Sequence, residues 1–237
     1  MLFRVKICGV TTPDDARLAT AAGADAIGLN FVAGSPRALD LDQARAVAAA
    51  VPPGVLKVGV FAGTAAAEIR RVVAAVGLDA VQLHGHLEGS GPAVDPPARC
   101  AELAGLKVIR AVRMEAGGDP LAAARRWLAQ AAALGAAPDA VIIDAAVPRG
   151  TAAGQLGGTG ATVDWAALAT ARPLGPPTAL AGGLTPENVA QAIRASKTAA
   201  VDTASGVEAG PGRKDPEKVR AFVAAALTAM TPTVESP

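Results

Sequence analysis

Tyrosine is absent from the 237 residues, and aromatic side chains make up only 3% of the chain. Single-stranded nucleic acids need stacking platforms, so that class of ligand loses its usual foothold. An excess of charge of one sign is missing as well. The formal net charge is +1, spread without long like-charged runs, which removes the electrostatic footprint of a DNA or RNA binder. Two cysteines, Cys8 and Cys100, and two histidines stand without metal-ligand spacing, too few ligands for a structural zinc site. No uninterrupted apolar run approaches the roughly 18 residues of a membrane span, and no charged-then-apolar leader opens the chain. No membrane, no nucleic acid and a reduced cytoplasmic setting are therefore expected. Neither GxGxxG nor GxxxxGKS/T occurs, so no nucleotide cofactor is indicated.

With 51% apolar residues, the chain can bury one large core. Short β-branched runs recur at 5–8, 26–31, 56–61, 80–84, 107–112, 140–144, 178–181 and 200–203. Each is nearly continuously apolar, as expected of parallel strands covered on both faces. Segments with helical spacing lie between them, clearest at 14–22, 41–50, 65–76, 119–134, 186–195 and 215–230. Thr12-Pro13 and Thr185-Pro186 read as caps followed by proline at the first helical position, and Gly23 and Gly77 as C-terminal glycines. Eight such units predict an α/β fold, a single-domain (β/α)8 TIM barrel over residues 1–230, with 231–237 as a disordered tail. An open doubly wound sheet is the alternative, because a linear pattern does not show closure. Residues 145–162 form a long Gly-rich connection of the kind used for lids or binding loops. Residues 89–97 read as an insertion without obvious chemistry.

The strand ends carry Cys8, Asn30, Gln82, His84, Arg110, Asp144 and Asp202, side chains that a packed strand has no reason to choose. In a barrel they would converge on one mouth, the face that houses chemistry. A thiolate at Cys8 suits a base or nucleophile; the competing reading is a small buried hydrophobe. Asp144 closes Val141-Ile142-Ile143, where a carboxylate is seldom structural. Asp202 reads equally as a helix cap or loop anchor, and His84 as a hydrogen-bonded wall residue. Cys100, among Ala and Leu, reads as packing. Gly182-Gly183 and Ser205-Gly206 follow the last two strands, where backbone amides cradle a phosphate in such barrels. Ser35-Pro36-Arg37 offers a guanidinium on a stiffened loop, able to grip a planar carboxylate by two parallel hydrogen bonds.

These motifs, in order, resemble the phosphoribosylanthranilate isomerase family of tryptophan biosynthesis. The resemblance runs from Val5 to about Val223. It rests on Val5-Lys6-Ile7-Cys8-Gly9, Gly28-Leu29-Asn30-Phe31 with Ser35-Pro36-Arg37, Val58-Gly59-Val60-Phe61 and Val81-Gln82-Leu83-His84-Gly85. It continues with Asp144, Gly157-Gly158-Thr159-Gly160, Asp164-Trp165, Ala181-Gly182-Gly183-Leu184 and Val201-Asp202 through Ser205-Gly206-Val207-Glu208. The resemblance implies an Amadori rearrangement of N-(5-phosphoribosyl)anthranilate without metal or organic cofactor. Asp144 would be the general acid and Cys8 the general base. Arg37 would hold the anthranilate carboxylate, Gln82, His84 and Asp202 would contact the substrate, and Gly182, Gly183, Ser205 and Gly206 would hold its phosphate. Ala204 departs from the family pattern, which commonly has a serine there.

Other readings stay open. A histidine-pathway or dual-substrate aldose–ketose isomerase of the same barrel type would carry an aspartate where Cys8 stands. An indole-glycerol-phosphate synthase barrel would want a lysine and a glutamate, and no glutamate ends a predicted strand. A non-catalytic phosphosugar-binding module explains the glycines but leaves Cys8 and Asp144 idle. A redox sensor lacks a nearby resolving cysteine. The expected partner is a small phosphorylated substrate, and the chain is expected to be a monomer or homodimer.

Overall fold

A computed structural model describes residues 1–89, 93–115, 119–145 and 165–231. Eight strands follow one another as parallel neighbours: β1 (Val5–Cys8), β2 (Ala26–Asn30), β3 (Leu56–Phe61), β4 (Ala80–Leu83), β5 (Lys107–Arg113), β6 (Ala140–Asp144), β7 (Thr178–Ala181) and β8 (Val201–Thr203). The last returns to the first, Val5 opposite Val201 and Ile7 opposite Thr203, so the sheet closes into a barrel. Closure excludes the open doubly wound alternative. The helices between and after the strands are α1 (Pro13–Ala21), α2 (Leu41–Ala49), α3 (Ala66–Val76), α4 (Ala98–Glu102), α5 (Ala122–Ala133), α6 (Trp165–Thr170), α7 (Val189–Ser196) and α8 (Pro216–Met230).

Strand alternation sorts the side chains into two cores. The inner one is mostly alanine (Ala26, Ala80, Ala111, Ala140, Ala179, Ala181, Ala200) with Phe3, Val58, Ile109 and Ile142 as the larger plugs. The outer one, between sheet and helices, holds Ile7, Ile27, Leu29, Val81, Leu83, Val112, Ile143 and Leu180 with the apolar helix faces. Fully burying one such aliphatic side chain contributes about 1.5–3 kcal/mol. The outer layer therefore carries most of the stability, and the inner positions are free to serve the site.

The caps behave as their residue types dictate, with one exception. Thr12 accepts from the Asp15 amide at 3.1 Å, ahead of Pro13. Asp215 accepts from the amides of Glu217 and Lys218, ahead of Pro216. Thr185, expected to cap the next-to-last helix, instead starts a turn. Asn188 folds its side chain back onto the Thr185 amide at 2.8 Å and the Gly183 carbonyl at 3.0 Å, and α7 opens only at Val189. After β8 the chain makes a short 3₁₀ turn at Ser205–Val207. It then forms an antiparallel ribbon of β9 (Glu208–Gly210) and β10 (Arg213–Lys214) that no periodicity announces. Residues 146–164, with most of the Gly-rich connection, and the tail 232–237 lie outside the described residues. None of the described helices is long and apolar enough to cross a membrane.

Candidate active site

Because all eight strands run the same way, their C-terminal ends form one rim. Cys8 stands there at the end of β1, partly exposed. It shares its face with Lys6, whose ammonium is fully buried and bonds Asp202 Oδ1 of β8 at 2.9 Å. Burial pulls the Lys6 pKa down, but Asp202 and Cys8 outweigh it and hold it above the ordinary lysine value. The cation is thus locked beside the thiol. Neighbouring Gly28 of β2 makes the arrangement possible. A Cβ there would stand 2.7 Å from the Cys8 sulfur and 3.1 Å from Lys6 Nζ.

Asp144 ends β6 with its side chain 19% exposed, and Arg113 Nη2 lies 3.3 Å away on β5. Arg113 escaped the sequence reading because β5 runs one residue further than its apolar run. On β4, Gln82 is buried and its Nε2 lies 3.4 Å from His84 Nδ1. His84 is exposed just past the end of β4. Loss of surrounding water pushes its pKa down against the opposing pull of Asp144 and Asp202, so the imidazole is neutral at pH 7. His84, His86, Glu88, Arg113, Met114 and Asp144 line a cleft of about 580 Å³.

The loops after β7 and β8 lie against each other. Thr203 Oγ1 donates to the Leu184 carbonyl at 2.8 Å. Gly206 packs on the same carbonyl, so closely that a Cβ would collide with it. Gly182 and Gly183 adopt φ of 92° and 65°, left-handed values that other residues avoid. Ser205 is exposed at the start of the 3₁₀ turn. Backbone with successive glycines in the left-handed region is able to turn its amides toward an anion.

Arg37 is reached from β2 through a loop built by Asn30. Asn30 accepts from the Val32 amide at 2.7 Å and donates to Ser35 Oγ at 3.3 Å. That explains a polar strand end without calling on the substrate. The Arg37 guanidinium is gripped by Glu208, Nε to Oε1 at 2.7 Å and Nη2 to Oε2 at 2.6 Å. Glu208 also bonds Lys214 Nζ at 2.9 Å. Lys214 in turn donates to the carbonyls of Cys8 at 2.6 Å and Ala204 at 3.1 Å. Glu208 stood in a recognised motif without a role, and nothing in the sequence flagged Lys214.

One expectation needs correction. Arg110 does not face the mouth. Ile109 and Ala111 point inward, so strand alternation sends Arg110 to the outer layer, where its guanidinium carbon lies 5.0 Å from the centroid of the Trp127 ring. Of the stretch 89–97, the described residues 93–97 also serve the barrel wall. They carry Asp95, fully buried, which accepts from the amides of Gly63 at 3.0 Å and Gly85 at 2.7 Å and faces Arg110 at 3.6 Å.

Two solution properties follow from this geometry. Burial drives the Cys100 thiol up to about 11, so iodoacetamide at neutral pH is expected to label Cys8 alone, one group per folded chain by mass spectrometry. Equal labelling of both cysteines contradicts the placement. Burial alone would raise Glu208, but Arg37 and Lys214 hold it below the ordinary glutamate range. A depressed carboxyl contributes stability above its unfolded pKa and loses it as pH falls through the folded one. Below about pH 4.5 the Tm of the protein is expected to fall more steeply than that of Glu208→Gln. Parallel curves contradict it.

A closed parallel barrel that brings a thiol and a carboxyl to its C-terminal rim has the build of a (β/α)8-barrel enzyme. Comparison with known proteins narrows this. The family model for N-(5'-phosphoribosyl)anthranilate (PRA) isomerase matches residues 5–225, and the chain belongs to that family. An N-(5'-phosphoribosyl)anthranilate isomerase of Myxococcus xanthus is 44% identical over 226 residues, 95% of this chain and 97% of its own. The crystal structure of phosphoribosyl anthranilate isomerase from Thermotoga maritima superposes with a TM-score of 0.79 at 34% identity, covering 95% of this chain and 99% of that one. A structure of the isomerase with reduced 1-(o-carboxyphenylamino)-1-deoxyribulose 5-phosphate gives 0.77 at 32% identity, with the same coverage.

Proposed function

We propose that this chain catalyses the Amadori rearrangement of N-(5-phosphoribosyl)anthranilate to 1-(2-carboxyphenylamino)-1-deoxyribulose 5-phosphate, an isomerisation of tryptophan biosynthesis in the cytoplasm. The observation that carries the reading is the pair Cys8 and Asp144, at the ends of β1 and β6 on one rim. Asp144 donates a proton to the ribose ring oxygen as the C1–O bond breaks, and the anthranilate nitrogen lone pair forms the imine. Cys8 removes the C2 proton, the electrons flow into an enolamine, and tautomerisation gives the ketone. Acid and base at two sites separate the proton donor from the acceptor.

Gln82, His84 and Asp202 take the substrate-contact positions, with His84 neutral and able both to donate and to accept. The amides around Gly182, Gly183, Ser205 and Gly206 take the phosphate, and Arg37 the carboxylate. Cys8 in place of an aspartate speaks for this substrate over the histidine-pathway aldose. Purified protein is expected to consume freshly made N-(5-phosphoribosyl)anthranilate, read as loss of anthranilate-type fluorescence. No turnover, or turnover of the histidine-pathway aldose alone, would overturn the reading.

A further inference from the structure

The guanidinium of Arg37 has two edges able to take a carboxylate in parallel, the Nε–Nη2 edge and the Nη1–Nη2 edge. The first is filled: Glu208 closes a two-bond fork on Nε and Nη2 at 2.7 and 2.6 Å. On the second, Nη1 makes no hydrogen bond to any described residue. A fork on one edge fixes the plane and rotation of the whole group, so the open edge points in one direction only.

Three further observations give this arrangement its meaning. The Glu208 carboxylate is sealed, with 4% of its side chain exposed, whereas Arg37 keeps 22%. What faces the outside is the cation, not the anion that holds it. Glu208 is also shared with a second cation, the buried ammonium of Lys214 at 2.9 Å. The cluster of Arg37, Glu208 and Lys214 therefore retains a net positive charge, which a simple one-to-one ion pair would not. Finally, Lys214 bonds the backbone carbonyl of Cys8 at 2.6 Å. The open guanidinium edge and the sulfur-bearing residue are thus tied to one rigid joint, built on the ribbon β9–β10.

We infer that Glu208 is a positioning residue that aims the Nη1–Nη2 edge of Arg37 at the carboxylate of the substrate, in register with Cys8. It makes the site selective for an N-aryl ribosyl phosphate bearing that carboxylate. The inference rests on the proposed isomerase reading, and it assigns the aryl carboxylate to a receptor shaped by three residues rather than to one arginine.

The test compares N-(5-phosphoribosyl)anthranilate with N-(5-phosphoribosyl)aniline, which lacks only the carboxylate. A site built around a polar group rejects the analogue without it, here by roughly a hundredfold or more in kcat/KM for the unaltered protein. In Glu208→Gln that ratio is expected to fall about tenfold or more, through KM for the anthranilate compound, with the smaller loss on the aniline compound. Glu208→Asp, which keeps every charge and both edges of Arg37 but draws the carboxylate back by one methylene, is expected to lower the ratio in the same way. It decides the matter should Glu208→Gln fail to fold. An unchanged ratio in the variants, a parallel fall on both compounds, or a ratio that rises in Glu208→Gln would overturn the inference. Equal turnover of both compounds by the unaltered protein would overturn it while leaving the isomerase reading intact. Absence of all turnover removes that reading and this inference together.

Discussion

Cys8→Ala and Asp144→Asn are each expected to lower kcat about 10²–10⁴-fold, the range for a lost general base or acid, or roughly 3–5 kcal/mol of barrier. Neither change disturbs the fold. Cys8 is partly exposed at the rim, and asparagine keeps the shape of a side chain that is already 19% open. KM should move little, since the groups proposed to hold the phosphate and the carboxylate are left in place. The two losses should not add, because without a base the imine made by the acid goes nowhere, so the double variant should resemble the poorer single one. Steady-state rates with the anthranilate substrate check this. Either single variant retaining near-normal kcat sinks the role assigned to that residue, and full additivity sinks the coupled sequence of steps.

The barrel was legible because its strands are continuous apolar runs cut by turn residues, the pattern of a sheet covered on both faces. Closure was not, since it depends on Val5 meeting Val201 across nearly the whole chain. Cys8 and Asp144 stood out because a packed strand has no use for them at its tip. The same logic misled at Arg110, which lies in the middle of β5 and not at its end, and whose polarity says nothing about which face the side chain takes. Parity with Ile109 and Ala111 decides that, and it sends Arg110 outward. Glu208 and Lys214 sit on strands of three and two residues, too short for any periodicity. Their partner Arg37 is 171 residues from Glu208, a separation at which no local pattern survives. Asp95 was hidden by glycines and prolines that read as loop, although the loop folds back into the core.

Asp95→Ala is expected to be the most destabilising single change near the site. Asp95 and Arg110 are both wholly buried and 3.6 Å apart. Burial drags the arginine down to about 10, and Asp95 only partly offsets that. The pair is therefore no large net gain over apolar packing, yet removing one member leaves a buried charge without its counter-ion, which costs about 3–5 kcal/mol. In a chain of this length 1 kcal/mol moves Tm by about 2–4 °C, so a drop of roughly 10 °C is expected. An exposed pair such as Glu88 with Arg126, whose side chains are 62% and 57% open, should contribute under about 1 kcal/mol and serves as the control. The effect should reach the chemistry too. Arg110 donates to the carbonyls of Leu83 at 2.8 Å and Gly85 at 2.7 Å, and Asp95 accepts from the Gly85 amide. The two charges thus pin the backbone on either side of His84. A thermal melt of Asp95→Ala within 2 °C of the unaltered protein would mean that the buried pair neither holds the barrel wall nor fixes the imidazole above it.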